Sequence, residues 1–285
     1  MPLALVLLLV APVLQDPAAP PEPRDPAAEA EAAPWRPEDG LRHERWDALL
    51  KEFVHPGGLV DYEGLLRRRA DLEAYLDELR AVTPEQYRSW TPAAREAFWV
   101  NAYDAWTVWL VLDHWPVDSI KDIGGWFSSV FDERFIPLQD LASSLPGVKV
   151  KEGKELSLGE VEHGILARVS RLPLFHFAIV CASRSCPPLR AEAYVGPRLD
   201  EQLAEQARIF LADPEKNDQR IERGRLRVSK IFDWAEDELE RYPGGIRKLL
   251  ADFGPPSVAN DPRLTDVRLR YRSYDWSLNA WKPEK

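Results

Sequence analysis

Two cysteines, two of the five histidines and a few acidic and amide side chains carry most of the reactive chemistry this sequence suggests. Cys181 and Cys186 are its only cysteines. Cys181 closes the apolar run Leu174-Phe175-His176-Phe177-Ala178-Ile179-Val180-Cys181. It then enters a short turn, Ala182-Ser183-Arg184-Ser185-Cys186-Pro187-Pro188-Leu189. Three chemistries fit this arrangement. A thiol at the end of a strand, with Arg184 favouring the thiolate by charge, has the setting of a nucleophile. In an oxidising compartment the same two residues close a small Cys181–Cys186 disulfide loop. Zinc is the third reading, with His163, His176, both cysteines and a carboxylate as ligands of suitable softness. Against zinc, the cysteines lack the tight knuckle spacing and no histidine pair stands four residues apart on a helix.

A thiol nucleophile also needs a base and an orienter. His163 is the first candidate for the base, because it sits on a helix face not committed to apolar packing; His176 is the second. On a regular strand, alternation puts Phe177, Ile179 and Cys181 on one face and His176 on the other, so His176 is a poor immediate partner for Cys181. Glu162 adjoins His163, but neighbouring helical residues diverge and do not pair. Asn101, Asp104, Asp275 and Asn279 are the candidates for orienting the imidazole. No Gly-rich phosphate loop, Gly-x-Ser-x-Gly elbow or His-Glu-x-x-His helix occurs, so no cofactor is expected.

The elements that must hold these residues follow from spacing. Leu41 to about Val54 is a helix with Trp46, Leu49, Leu50 and Phe53 on one side, stopped by His55-Pro56-Gly57-Gly58. Asp61 caps a second helix from Tyr62 to about Leu79, with Leu65, Leu66, Leu72 and Leu76 toward a neighbour. Thr91-Pro92 opens a third helix reaching about Leu112. Its apolar residues, among them Phe98, Trp99, Tyr103, Trp106 and Leu110, surround the axis, which predicts a buried central helix. Asn101 and Asp104 lie within it on one face, and buried polar groups require partners elsewhere in the fold. Ile120 to Pro137 reads as an anchored loop, and Val148 to Val150 as a short strand. Ser157-Leu158-Gly159-Glu160 is a capping box opening a helix to about Val169, with Leu158, Val161, Ile165 and Val169 toward the core. The run Leu174–Cys181 suits a central strand covered on both faces. Helices are expected from about Arg198 to Ala212, from a capped start at Asp233, and from Gly245 to Phe253. Strands are expected at Leu226–Val228 and Val267–Tyr271, before the closing Tyr274-Asp275-Trp276-Ser277-Leu278-Asn279.

The whole is an α+β single domain with a buried central helix and a small mixed sheet. Residues 1–19, with the apolar stretch Leu3–Leu14, read as a signal peptide. That stretch is too short for a bilayer-spanning helix of roughly 20 residues. Residues 20–40 read as a Pro/Ala/acidic linker, and residues 41–285 as the domain. The expected location is secreted or periplasmic, with no stable transmembrane anchor after processing. A net charge of −10 argues against nucleic acid as a partner. The run Arg67-Arg68-Arg69 lies among acidic residues and reads as a solvated face. Eleven tryptophans leave room for a core margin or for a groove, and the ligands considered are a peptide, cell-envelope material or a carbohydrate.

Four stretches of this chain resemble the family known as domain of unknown function 547, found in bacteria and plants. They are Phe98-Trp99-Val100-Asn101-Ala102-Tyr103-Asp104-Ala105, Val161-Glu162-His163-Gly164-Ile165-Leu166, His176 through Leu189, and Tyr274 through Asn279. The resemblance implies a domain often exported in bacteria and brings no established substrate or mechanism. It also implies an Asn at the position held here by Asp104, so this chain places a carboxylate where an amide is usual. A papain-like or transglutaminase-like fold enters only by analogy. The leading expectation is a thiol-dependent hydrolase or acyl transferase acting on an amide or envelope substrate. Its alternatives are a non-catalytic envelope structural or binding module with a Cys181–Cys186 disulfide, and a zinc-binding protein.

Overall fold

A computed structural model describes residues 34–124 and 129–283. The export segment and the linker up to residue 33 lie outside the described residues, as do Gly125, Trp126 and Phe127 of the expected loop. Contacts group the described residues from Arg36 onward into one compact unit.

The organising element is the helix Pro92–Asp113, whose 22 residues span about 33 Å. Thr91 Oγ1 accepts the Ala94 N–H at 3.1 Å, and Pro92 occupies the first turn, where no backbone donor is required. Its apolar residues cover every side, so neighbouring helices bury it all round. The helix Glu44–Phe53 packs its Trp46, Leu49, Leu50 and Phe53 inward. Asp61 caps Tyr62–Arg67 by accepting the Gly64 N–H at 2.8 Å. The expected continuation to Leu79 is broken at Arg68, and a separate helix runs Arg69–Arg80. The break turns Leu66 outward, where it is 39% exposed. The arginine run is a paired, solvated face: Arg68 binds Glu52 and Asp71, and Arg69 binds Glu73 and Asp113. Later helices at Leu199–Ala212 and Gly245–Phe253 lie where the periodicity puts them.

Among the described residues the β structure consists of three separate two-stranded pieces that do not join into the expected mixed sheet. Val54–His55 pairs antiparallel with Leu59–Val60, and Arg134–Ile136 with Leu156–Ser157. Arg225–Val228 pairs in parallel with Arg268–Tyr271. The fold is therefore α+β with a dominant helix and small open sheets, and no papain-like or transglutaminase-like arrangement is established. Val148–Val150 is irregular chain and forms no strand.

Two further corrections bear on the site. Leu174–Cys181 is not a strand: Pro173–Phe177 forms a 3-10 turn and the chain continues irregularly through Cys181. A continuous apolar run says only that both sides are buried, and periodicity does not separate strand from buried helix. Pro173, with its fixed φ and missing donor, starts the helical turn. The expected helix start at Asp233 lies earlier, at Ile231, whose N–H donates to Ser229 Oγ at 3.3 Å. Short helices follow at Ile231–Trp234 and Glu236–Leu239, with Asp233 inside the first and paired with Lys230.

Among the described residues, no helix is long and apolar enough to cross a membrane.

Candidate functional site: an aromatic pocket floored by a disulfide

Cys181 and Cys186 are joined in a disulfide, with Cα atoms 6.1 Å apart. The geometry is prepared by the turn between them. Ala182, although not glycine, takes a φ of +56°, a left-handed conformation that reverses the chain immediately after Cys181. The Cys186 N–H then donates to the Ser183 carbonyl at 3.1 Å, and the Cys181 N–H donates to the Cys186 sulfur at 2.8 Å.

The C-terminal segment holds this loop from outside. Arg184 N–H donates to the Ser277 carbonyl at 2.9 Å, Ser185 N–H to the Asp275 carbonyl at 3.2 Å, and Asn279 N–H to the Ala182 carbonyl at 3.0 Å. Asn279 adds side-chain bonds, accepting the Tyr62 hydroxyl at 2.7 Å and donating to the Gly58 carbonyl at 3.2 Å. Gly58 is required there: its φ is +73°, and a Cβ would stand 2.5 Å from Pro188 and from the Leu189 nitrogen.

The disulfide overturns the thiol-nucleophile reading. Both cysteine sulfurs of the chain are consumed, the described residues contain no free cysteine, and a disulfide has no thiolate to attack or to be activated. The zinc reading loses its soft ligands in the same way. Among the described residues, no group of three or more His, Cys, Asp or Glu stands together in a metal-holding arrangement.

The disulfide instead forms part of the wall of a cavity of about 370 Å³. Aromatic side chains dominate the rest of that wall: Tyr103, Phe131, Trp234, Tyr274 and Trp276. Trp234, Tyr274 and Trp276 form a tilted cluster with ring centroids 4.6 to 5.6 Å apart. Phe131 stands 6.0 Å from Trp276. Tyr274 also ties the cluster to the disulfide, its hydroxyl lying 3.2 Å from the Cys181 sulfur and 3.3 Å from Ser183 Oγ. Burial raises the Tyr274 hydroxyl well above its ordinary pKa, so it stays a neutral donor.

The polar part of the wall comes from Asp132, Glu162, His163 and His176. Glu160–Leu166 is a π-helix, a wide turn found often at functional sites. Its start is the expected capping box: Ser157 Oγ accepts the Glu160 N–H at 3.2 Å, and Glu160 accepts the Ser157 N–H at 3.0 Å. Glu162 and His163 diverge as expected. Glu162 pairs with His176 Nδ1 at 3.2 Å, while the exposed His163 stands 3.4 Å from Glu238. Burial works to raise the Glu162 carboxyl, but the hydrogen bond to His176 and the nearby imidazoles outweigh it and hold the carboxyl below its ordinary value. An ionised carboxylate only accepts, so His176 Nδ1 is the donor. His176 is 2% exposed, and its Nε2 has no partner.

The remaining expected residues are placed elsewhere. Asn101 is wholly buried and clamps the backbone of Tyr194: it accepts the Tyr194 N–H at 3.0 Å and donates to the Tyr194 carbonyl at 2.7 Å and the Ala97 carbonyl at 2.9 Å. Asp104 accepts the Val180 N–H at 2.8 Å, replacing the sheet partner that Val180 lacks. Burial pushes its carboxyl well above the usual range, the Val180 bond opposing. Arg184 is exposed and does not line the pocket. Asp275 accepts the Ser277 hydroxyl and N–H, bonds that hold its carboxyl below the usual range. Among the described residues none of the expected orienters Asn101, Asp104, Asp275 and Asn279 is hydrogen-bonded to an imidazole. Sequence reasoning did not name Tyr103, Phe131, Asp132, Trp234, Tyr274 or Trp276 as site residues; the signals were the high tryptophan count and, for Tyr103, Tyr274 and Trp276, their place in family-resembling stretches, and neither says which rings share a wall.

Fold and site together define a helix-centred α+β domain with a disulfide-bridged, aromatic-walled pocket. Residues 87–211 match the family model described as "Protein of unknown function, DUF547", a match that supports assigning this stretch to that family. Neither the curated proteins nor the solved structures yield a match.

Proposed function

We propose that this chain is an exported, non-catalytic binding module whose ligand seat is the aromatic pocket. The observation that carries the reading is the Cys181–Cys186 disulfide in the pocket wall: it removes the only nucleophilic sulfurs and locks the turn that shapes the cavity. The pocket's size and composition suit a small ligand or the side chain of a larger one, since such sites are concave, mostly apolar and equipped with few polar groups. Export is supported by the same bond, because disulfides persist in oxidising compartments, and by the apolar stretch Leu3–Leu14 followed by the Pro/Ala-rich segment. Residues 41–285 act as one domain in this reading, with residues 20–40 as its tether.

The test is a thiol count on protein recovered from its native host. Iodoacetamide under non-reducing conditions should add no mass, and should add two carbamidomethyl groups after reduction. N-terminal sequencing of the same material should begin beyond Leu14. Alkylation of either cysteine without reduction, or recovery of chains that still begin at Met1 or Pro2, would overturn the reading.

A further inference from the structure

The reading of the pocket as a binding seat leaves its ligand open, and the charges in the wall narrow it. Among the described residues that line the cavity there are two carboxylates, Asp132 and Glu162, and no lysine or arginine. Among these lining residues an anionic ligand finds only the imidazoles of His163 and His176, each already beside a carboxylate. Glu162 is kept ionised by its histidine neighbours, and Glu238 adds a third acid beside His163. Aromatic side chains share the cavity wall with Asp132 and Glu162. Their negative quadrupoles attract cations, and a cluster of several rings around one cavity is the arrangement by which organic ammonium groups are recognised. The wall already shows this affinity: the Lys121 ammonium stands 5.2 Å from the centroid of the Trp276 ring. Trp234 is 49% exposed, an unusual state for so large an apolar side chain and one that leaves much of it open to an incoming group.

Resting on the binding-module reading, we infer that the pocket takes an organic cation, an alkylammonium group held between the Trp234–Tyr274–Trp276 cluster and the Glu162 carboxylate. Two sources share this chemistry: a free small amine or quaternary ammonium compound, and a lysine side chain of a peptide. His176 acts as a positioning residue, fixing the Glu162 carboxylate through Nδ1.

Tryptophan-fluorescence titration and calorimetry on the full oxidised chain test the inference with paired probes. Choline is compared with 3,3-dimethylbutan-1-ol, its neutral isostere. Nα-acetyl-lysine methylamide is compared with the norleucine analogue, and N,N′-diacetylchitobiose serves as a neutral carbohydrate. At least one cation should bind at least tenfold more tightly than its neutral partner, and which of the two binds better identifies the source. Glu162→Gln should reduce that ratio about fivefold or more. Trp234→Ala, on an exposed side chain, should weaken cation binding about tenfold while the thermal midpoint stays near wild type. Binding of a neutral isostere within twofold of its cation, or an unchanged ratio in Glu162→Gln, overturns the cation inference. Binding of the disaccharide alone, lost in Trp234→Ala, overturns the cation inference and keeps the binding module. Absence of binding by every probe overturns both.

Discussion

The interior of the central helix and the wall of the pocket both bury polar side chains, and they treat them differently. Asn101 is wholly buried and spends its amide on three backbone partners. His176 is almost as deeply buried but uses one ring nitrogen, and its Nε2 has no partner. Tryptophan shows the same contrast. Trp99 on the central helix is sealed in the core and donates its indole N–H to the Tyr87 hydroxyl at 2.9 Å, whereas Trp234 at the pocket is half in solvent. A buried polar group that is fully satisfied rigidifies the scaffold; incompletely satisfied groups and open aromatic faces around a cavity keep interaction capacity for something else. Full partnering is not general to the scaffold, since Trp106 Nε1 and Thr107 Oγ1 on the central helix are also buried without a partner; what sets the pocket apart is that the unpartnered His176 Nε2 coincides with a cavity and an open aromatic face.

The sharpest way to break this comparison is at Asn101. Asn101→Leu strands the N–H and C=O of Tyr194 in a buried setting, and a cost of about 3 kcal/mol or more is expected from the unsatisfied groups alone. Urea denaturation measures it; a loss below about 0.5 kcal/mol would mean that the amide does not hold the interior together. The disulfide comes next. Replacing Cys181 and Cys186 together by serine releases a short loop, worth roughly 2 kcal/mol of unfolded-state entropy. Comparable unfolding curves for the double variant and the oxidised wild type would show that the bond constrains nothing.

Asp104 gives a smaller effect with a defined sign. Its carboxyl is raised in the folded state, so its contribution is fully present below the unfolded value near about 4 and is lost as pH rises through the folded value. Asp104→Asn removes that titration while keeping an oxygen for the Val180 N–H. Its stability relative to wild type should therefore grow from pH 4 to pH 8. The pH series extends no higher because Tyr75, Tyr103 and Tyr194 lie in the field of Asp104. A difference that does not vary with pH would contradict a buried, protonated acid at this position. The smallest stability effect belongs to the pocket: Trp234→Ala should stay within about 0.5 kcal/mol of wild type, and a larger loss would place Trp234 with the scaffold.

Much of the helical framework was legible because its signals are local. Thr91-Pro92, Asp61 and the Ser157–Glu160 box are caps whose donors lie within three residues, and the all-round apolar pattern of Phe98 to Val111 has one economical explanation, burial on every side. The same reasoning failed at Leu174–Cys181. There the backbone donor of Val180 is satisfied by Asp104, 76 residues away, and no window of neighbouring residues contains that fact. Deprived of a strand, the alternation that separated His176 from Cys181 no longer applies, and both line one cavity.

By itself the sequence determined the net acidic charge, the central helix with Asn101 and Asp104 buried in it, the helix starts set by short-range caps, and the resemblance of four stretches to one family. It also limited the sulfur chemistry to one pair of cysteines. Only the tertiary structure decided that this pair is bridged, that Glu162 belongs to His176 and His163 to Glu238, and that Trp234, Tyr274 and Trp276 converge on one pocket. The physical reason is range. A helix cap closes hydrogen bonds across three or four residues, so its signal is written in adjacent positions. The bridge depends on a left-handed turn at Ala182 held by a C-terminal segment about 90 residues further along the chain, and the pocket wall joins rings from Phe131 to Trp276, distances over which only the packed chain sets which side chains meet.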